Sequence, residues 1–268
     1  MFSSFINLSY PIQALIATLF TWAITACGAS VVFLFKKVNK SVLDAMLGFA
    51  AGVMIAATFF SLLSPAIEMA ESLKMIPWLI VSLGFLGGGI LLYIGDKVFD
   101  ILLKRTNKDT AQKNSLKRSI MLIASITLHN IPEGMAIGVA FGSIAYGIEG
   151  ATISAAIMLA LGIGIQNFPE GSAVSLPLRR EGMSRTKAFL FGNLSGIVEP
   201  ISAVIGAILV LKVQVLLPIL LSFAGGAMIY VVVQELIPES QTNKKKDLMA
   251  LFTILGFIVM MIFDVALG

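Results

Sequence analysis

Eight long apolar runs, separated by short polar breaks, divide the chain near 11–35, 42–66, 76–103, 119–146, 151–178, 188–211, 213–237 and 248–267. Each is long enough for an α-helix to cross the hydrocarbon core of a bilayer, which takes about 20 residues. The runs are continuous rather than alternating, and rich in Leu, Ile, Ala and Gly. Helices, which satisfy every backbone group within one segment, therefore suit them better than the strands of a membrane barrel. The pattern predicts an all-α membrane protein of eight transmembrane helices, forming one transmembrane domain over residues 1–268. The longest polar break, about 104–118, predicts a flexible cytoplasmic loop.

The positive charges orient these helices. Sixteen of the nineteen Lys and Arg fall in the links after the first, third, fifth and seventh runs, as in Lys104, Arg105, Lys108, Lys113, Lys117 and Arg118. Only Lys74 and Lys212 belong to the opposite links, and Lys97 lies at the inner end of the third run. The positive-inside rule places the charged links in the cytoplasm and both termini on the extracytoplasmic side. Adding or removing one helix would scramble this alternation, so the charge bias supports the count of eight.

Composition narrows the function classes. The chain is 57% hydrophobic and 13% charged, with a mean hydropathy of +0.94, far from the balance of a water-soluble domain. Its net charge of +4 is explained by topology, and no basic patch interleaved with aromatics suggests nucleic acid. The single cysteine, Cys27, excludes an internal disulfide framework and a Cys-rich metal motif. The first Lys or Arg is Lys36, so the first apolar run lacks the basic start of a signal peptide and is expected to remain as a span.

One internal echo carries chemistry. His-Asn-Ile-Pro-Glu-Gly at 129–134 and Gln-Asn-Phe-Pro-Glu-Gly at 166–171 each interrupt an apolar run. Paired Pro- and Gly-interrupted segments in a membrane protein point to a transport site. Helical spacing places His129 and Glu133 on one face with Asn130 beside them, and repeats the arrangement with Gln166, Asn167 and Glu170. Pro132 and Pro169 lack an N–H, which frees carbonyls one turn earlier, while Gly134 and Gly171 ease a bend or close helix approach. The sixth run adds Ser195, Glu199 and Pro200. Each carboxylate at membrane depth costs at least about 2.5 kcal/mol on insertion scales, and three would repel one another if ionised together. A divalent cation compensates directly, because carboxylate, imidazole and amide donors form a mixed N/O set suited to zinc and tolerant of iron, manganese or cadmium. Two metals bridged by Glu133 and Glu170 are compatible with the same residues. Met54, in an otherwise apolar stretch, reads as core rather than as a ligand.

These motifs resemble the ZIP (Zrt/Irt-like) metal transporters, particularly their bacterial members. The likeness covers essentially the whole chain and rests on the paired motif together with Glu199-Pro200. It implies a 3+2+3 helix arrangement with the metal site between helices four and five, a homodimer, and a multi-pass protein of the plasma membrane, in bacteria the inner membrane. By position, His129, Glu133, Gln166 and Glu170 resemble the family's first metal site, and Asn130, Asn167 and Glu199, with the shared glutamates, the second. Gln166 stands where many members have histidine and Asn167 where some have an acid, which removes a nitrogen donor from one site and a negative charge from the other. The His-rich loop common before helix four is absent.

The expected function is inward transport of divalent transition-metal ions, zinc first among them, with no cofactor beyond the transported ion and no partner beyond lipid and a second copy. Glu68, Glu71 and Asp264 near the outer side, and Glu235 and Glu239 near the inner, are positioned to attract and receive a cation, although solvated helix ends explain them equally well. A membrane metalloenzyme is disfavoured, since the chain has one histidine and neither an H-E-x-x-H nor a G-x-S-x-G motif. A cation or proton transporter that uses the glutamates without a transition metal fits the oxygen-rich set as well, and metal-specific binding at His129 distinguishes it. A purely structural scaffold leaves the buried carboxylates unexplained.

Overall fold

The computed structural model describes residues 5–34, 40–106, 127, 130–147, 151–180 and 182–267, and its regular structure is entirely helical. The helices are α1 (Tyr10–Leu34), α2 (Lys40–Ser72), α3 (Pro77–Thr106), α4 (130–143), α5 (Ile153–Arg180), α6 (Arg185–Lys212), α7 (Leu217–Ser240) and α8 (from Lys246). All but α4 are long and apolar enough, within the described residues, to cross a membrane. The protein is thus an all-α, multi-span membrane protein. Residues 107–118 of the predicted loop, and His129, lie outside the described residues.

Two helices outrun the expected spans for one local reason. In α2 a π turn at Thr58–Leu63 precedes Pro65, and the helix continues to Ser72 rather than ending near residue 66. In α7 a π turn at Val232–Leu236 precedes Pro238. Proline cannot donate to the helix ladder, and a widened turn ahead of it absorbs the mismatch without breaking the helix. The two helices also share sequence: Leu-Gly-Phe-Ala-Ala-Gly-Val-Met-Ile at 47–55 matches Leu-Ser-Phe-Ala-Gly-Gly-Ala-Met-Ile at 221–229.

Glycines decide which helices touch. In lipid there is little hydrophobic drive between helices, so close backbone contact at small residues supplies the packing energy. A Cβ at Gly28 of α1 would lie 2.0 Å from the Phe168 carbonyl oxygen of α5, and one at Gly171 of α5 would lie 2.1 Å from that of Thr25 on α1. The same reciprocal seal joins α2 to α8 through Gly52 and Gly256, and α3 to α7 through Gly88 and Gly226. It joins α4 to α6 through Gly134 and Gly138 on one side and Gly206 on the other.

Further contacts of α1 and α5 with α6 make one bundle of α1, α4, α5 and α6, and contacts of α2 with α3 and α7 make a second of α2, α3, α7 and α8. The bundles meet where α5 lies against α2 and the end of α8. Within the second bundle the equivalent sequences of α2 and α7 do equivalent jobs: Gly52 seals against α8, and its counterpart Gly226 seals against α3.

Candidate metal centre

The first bundle gathers the polar motif residues. Asn130 and Glu133 come from α4, Gln166, Asn167 and Glu170 from α5, and Glu199 from α6. All six are buried; Glu133, Gln166, Asn167 and Glu199 are wholly inaccessible, and Glu170, at 5% exposure, is the most open. The glycine after each motif glutamate explains the convergence. Gly134 lets α4 lie on the backbone of α6 at Glu199 itself, and Gly171 lets α5 lie on α1. Pro132 and Pro169 are accommodated within helix, so the motifs stay on helical faces rather than on loops.

The side chains are wired to one another. The Gln166 amide donates to Glu133 Oε1. Asn167 Nδ2 donates to both oxygens of Glu199, each at 3.0 Å, and Asn130 Nδ2 donates to the Ser195 carbonyl at 3.0 Å. Four buried oxygens here have no hydrogen-bond partner among the described residues: Asn130 Oδ1, Glu133 Oε2, Gln166 Oε1 and Asn167 Oδ1. Each such acceptor costs about 1–3 kcal/mol while unmatched, and buried polar groups without partners are rare enough to need a cause. Every one of the four is an acceptor, able to take a hydrogen bond from a donor or to face a cation. Among the described residues no three His, Cys, Asp or Glu side chains form a metal-binding group.

Other expected positions fall into place more loosely. Met54 is fully buried in the apolar core of α2, as its surroundings predicted. Ser61 donates to Asp264 at 2.6 Å, and both line a cavity of about 230 Å³ with Glu68, Ser143 and Thr152. This cavity opens between the two bundles, at the end of α2 that the charge bias places outside. Glu71 and Glu239 are exposed, and Glu235 lies half-buried in the π turn of α7.

One residue at the centre escaped the motif search. Thr21 of α1 is fully buried and donates to Glu199 Oε2 at 2.6 Å. Its signal in the sequence was the run Thr18, Thr21, Thr25, a polar stripe at helical spacing on an apolar helix.

The family model described as ZIP Zinc transporter matches residues 8–119 and 109–264. The chain is 39% identical to Zinc transporter ZIP11 of Xenopus tropicalis over 332 residues, covering 96% of this chain and 98% of that protein. It is 36% identical to Zinc transporter ZIPB of Bordetella bronchiseptica, covering 92% and 79%. Zinc transporter ZupT of Streptococcus mutans is 34% identical, covering 92% and 94%. The likeness thus extends over vertebrate as well as bacterial proteins.

Proposed function

Because this chain belongs to the ZIP family of zinc transporters, and so is a multi-pass membrane protein that moves metal ions rather than an enzyme, we propose that it carries zinc into the cytoplasm through the polar centre of the first bundle. The four buried, partnerless acceptor oxygens of Asn130, Glu133, Gln166 and Asn167 carry this reading. His129, Glu133, Gln166 and Glu170 form the principal ligand set, and Asn130, Asn167 and Glu199 complete the centre. Cadmium, iron and manganese fit the same oxygen-rich donors. Entry runs from the cavity lined by Glu68 and Asp264, and alternating exposure of the centre moves the ion inward. The working unit is a homodimer in the plasma membrane, the inner membrane in a bacterium, and needs no cofactor beyond the ion it moves.

The test is zinc and cadmium flux into liposomes holding the purified protein, read by a metal-sensitive dye inside, with Glu133→Ala plus Glu170→Ala as the comparison. Saturable flux lost in the double variant is the expected result. Undiminished flux in a correctly inserted variant overturns the site, and absence of flux of either ion in the unaltered protein overturns zinc as cargo.

A further inference from the structure

Glu199 differs from Glu133 in how its oxygens are used. Glu133 has one oxygen engaged by Gln166 and the other without a partner. Both oxygens of Glu199 are engaged: Oε1 accepts from Asn167, and Oε2 accepts from Asn167 and from Thr21. A side-chain amide donates from one end and accepts at the other. With Nδ2 turned onto the carboxylate, Asn167 Oδ1 has to point away, and it is one of the buried oxygens left without a partner. Glu199 therefore decides which end of Asn167 faces the centre.

Besides Asn167 of α5, Glu199 is held from α1. The Thr21 hydroxyl has two acceptors in range, the Thr18 carbonyl at 3.0 Å and Glu199 Oε2 at 2.6 Å. It carries one proton, and a carboxylate accepts more strongly than a helix carbonyl that already has a partner. The three helices concerned have little freedom. α1 is sealed to α5 through Gly28 and Gly171, and Trp22 Nε1 donates to the Asn193 carbonyl of α6 at 2.8 Å. At Gly196 a side chain would meet Trp22 at 2.9 Å and Glu199 Oε1 at 3.2 Å, so the carboxylate sits against bare backbone.

We propose that Thr21 is a positioning residue for the transported ion: its hydroxyl fixes Glu199, Glu199 fixes the Asn167 amide, and Asn167 Oδ1 is thereby presented as a ligand. This rests on the reading of the centre as the metal site, and it makes zinc affinity depend on a helix that supplies no ligand. Affinity rather than turnover is affected, because the brace orders the ion-binding arrangement.

The experiment is zinc flux in liposomes for Thr21→Val, which keeps the shape and removes the hydroxyl, and for Thr21→Ser, which keeps the hydroxyl. Thr21→Val raises KM about tenfold, the fold-change matching one lost charge-assisted hydrogen bond, with the maximal rate held within about twofold. Thr21→Ser restores the KM of the unaltered protein. In an Asn167→Ala background Thr21→Val adds nothing, since the two act through one chain of contacts. An unchanged KM in Thr21→Val, a failure of Thr21→Ser to restore it, or a full penalty in the Asn167→Ala background each overturns the proposal. Thr21→Ala carries the same prediction if the valine variant does not fold. Glu133→Ala is measured alongside: flux lost there but untouched by Thr21→Val defeats the brace alone, whereas flux retained in Glu133→Ala defeats the metal site itself.

Discussion

The two bundles share one packing device and differ in what they enclose. Both are sealed by paired glycines that bring backbones into contact, α1 to α5 and α4 to α6 in the first, α2 to α8 and α3 to α7 in the second. The first buries Gln13, Thr18, Thr21, Thr25, Asn130, Glu133, Gln166, Asn167, Glu170 and Glu199, among others. The second is lined by Leu47, Met54, Leu62, Leu217, Met228 and their neighbours. Its few buried polar side chains include Asp44, Ser240 and Asn243, where Asn243 Nδ2 and Ser240 Oγ bond Asp44 and tie the α7–α8 link to α2. The glycine seal is thus indifferent to the polarity of the interior. The second bundle is packed mainly on apolar side chains, whereas the first buries a connected set of amides and carboxylates at a cost in stability.

The largest effect expected from this contrast is loss of flux in Glu133→Ala plus Glu170→Ala, against which no single change inside the second bundle should compare. Next come the seals. A methyl at Gly171 would lie 2.1 Å from the Thr25 carbonyl oxygen, and one at Gly52 would lie 1.9 Å from that of Thr253. Gly171→Ala and Gly52→Ala should each lower stability by about 3 kcal/mol or more, since a backbone contact cannot yield as a side chain does. In the fraction that folds, only Gly171→Ala should also raise the KM for zinc, because it shifts α5 against α1. Detergent-solution melting with flux on the folded fraction checks both, and an equal effect of the two on KM would dissolve the distinction between the bundles.

A smaller effect separates stability from affinity. Leu62 is fully buried in the π turn of α2. Leu62→Ala should cost about 2–5 kcal/mol through the cavity it leaves, visible as a lower melting temperature, with the zinc KM unchanged. A shift in KM as large as that of Thr21→Val would mean that the second bundle shapes the centre and does not merely support it.

Much of this was open to sequence reasoning because lipid makes the signals loud. Long apolar runs have no alternative to helix, and Asn130, Glu133, Gln166, Asn167, Glu170 and Glu199 stood out because ionisable and amide groups are costly there. The helix ends were less legible. Pro65 and Glu68 read as the close of a span, and nothing in their pattern announces the π turn that carries α2 on to Ser72. Helix partners were hidden for a different reason: spacing shows which face of a helix is small, but Gly28 and Gly171 do not say that they meet. Thr21 was missed because threonine in an apolar helix ordinarily bonds its own preceding turn, as Thr18 does to the Ala14 carbonyl at 2.7 Å. The hydroxyl that instead reaches another helix has no separate mark in the sequence.

The faintest predicted effect lies where the bundles part. Asp264 and Glu68 line the same cavity between them, and Asp264 Oδ1 is held by Ser61 while Oδ2 has no partner. If the cavity gathers cations for the centre, its charge acts over distance and through water, so the contribution is to capture and not to binding at the centre. Asp264→Asn keeps the shape and removes one charge. It should raise the KM for zinc about two- to threefold at low ionic strength and leave the maximal rate alone. At about 0.5 M salt the difference should vanish, because the screening length then falls to a few ångströms. A KM shift that persists at high salt would instead assign Asp264 a direct contact with the ion. That would extend the polar chemistry of the first bundle across the seam to α8.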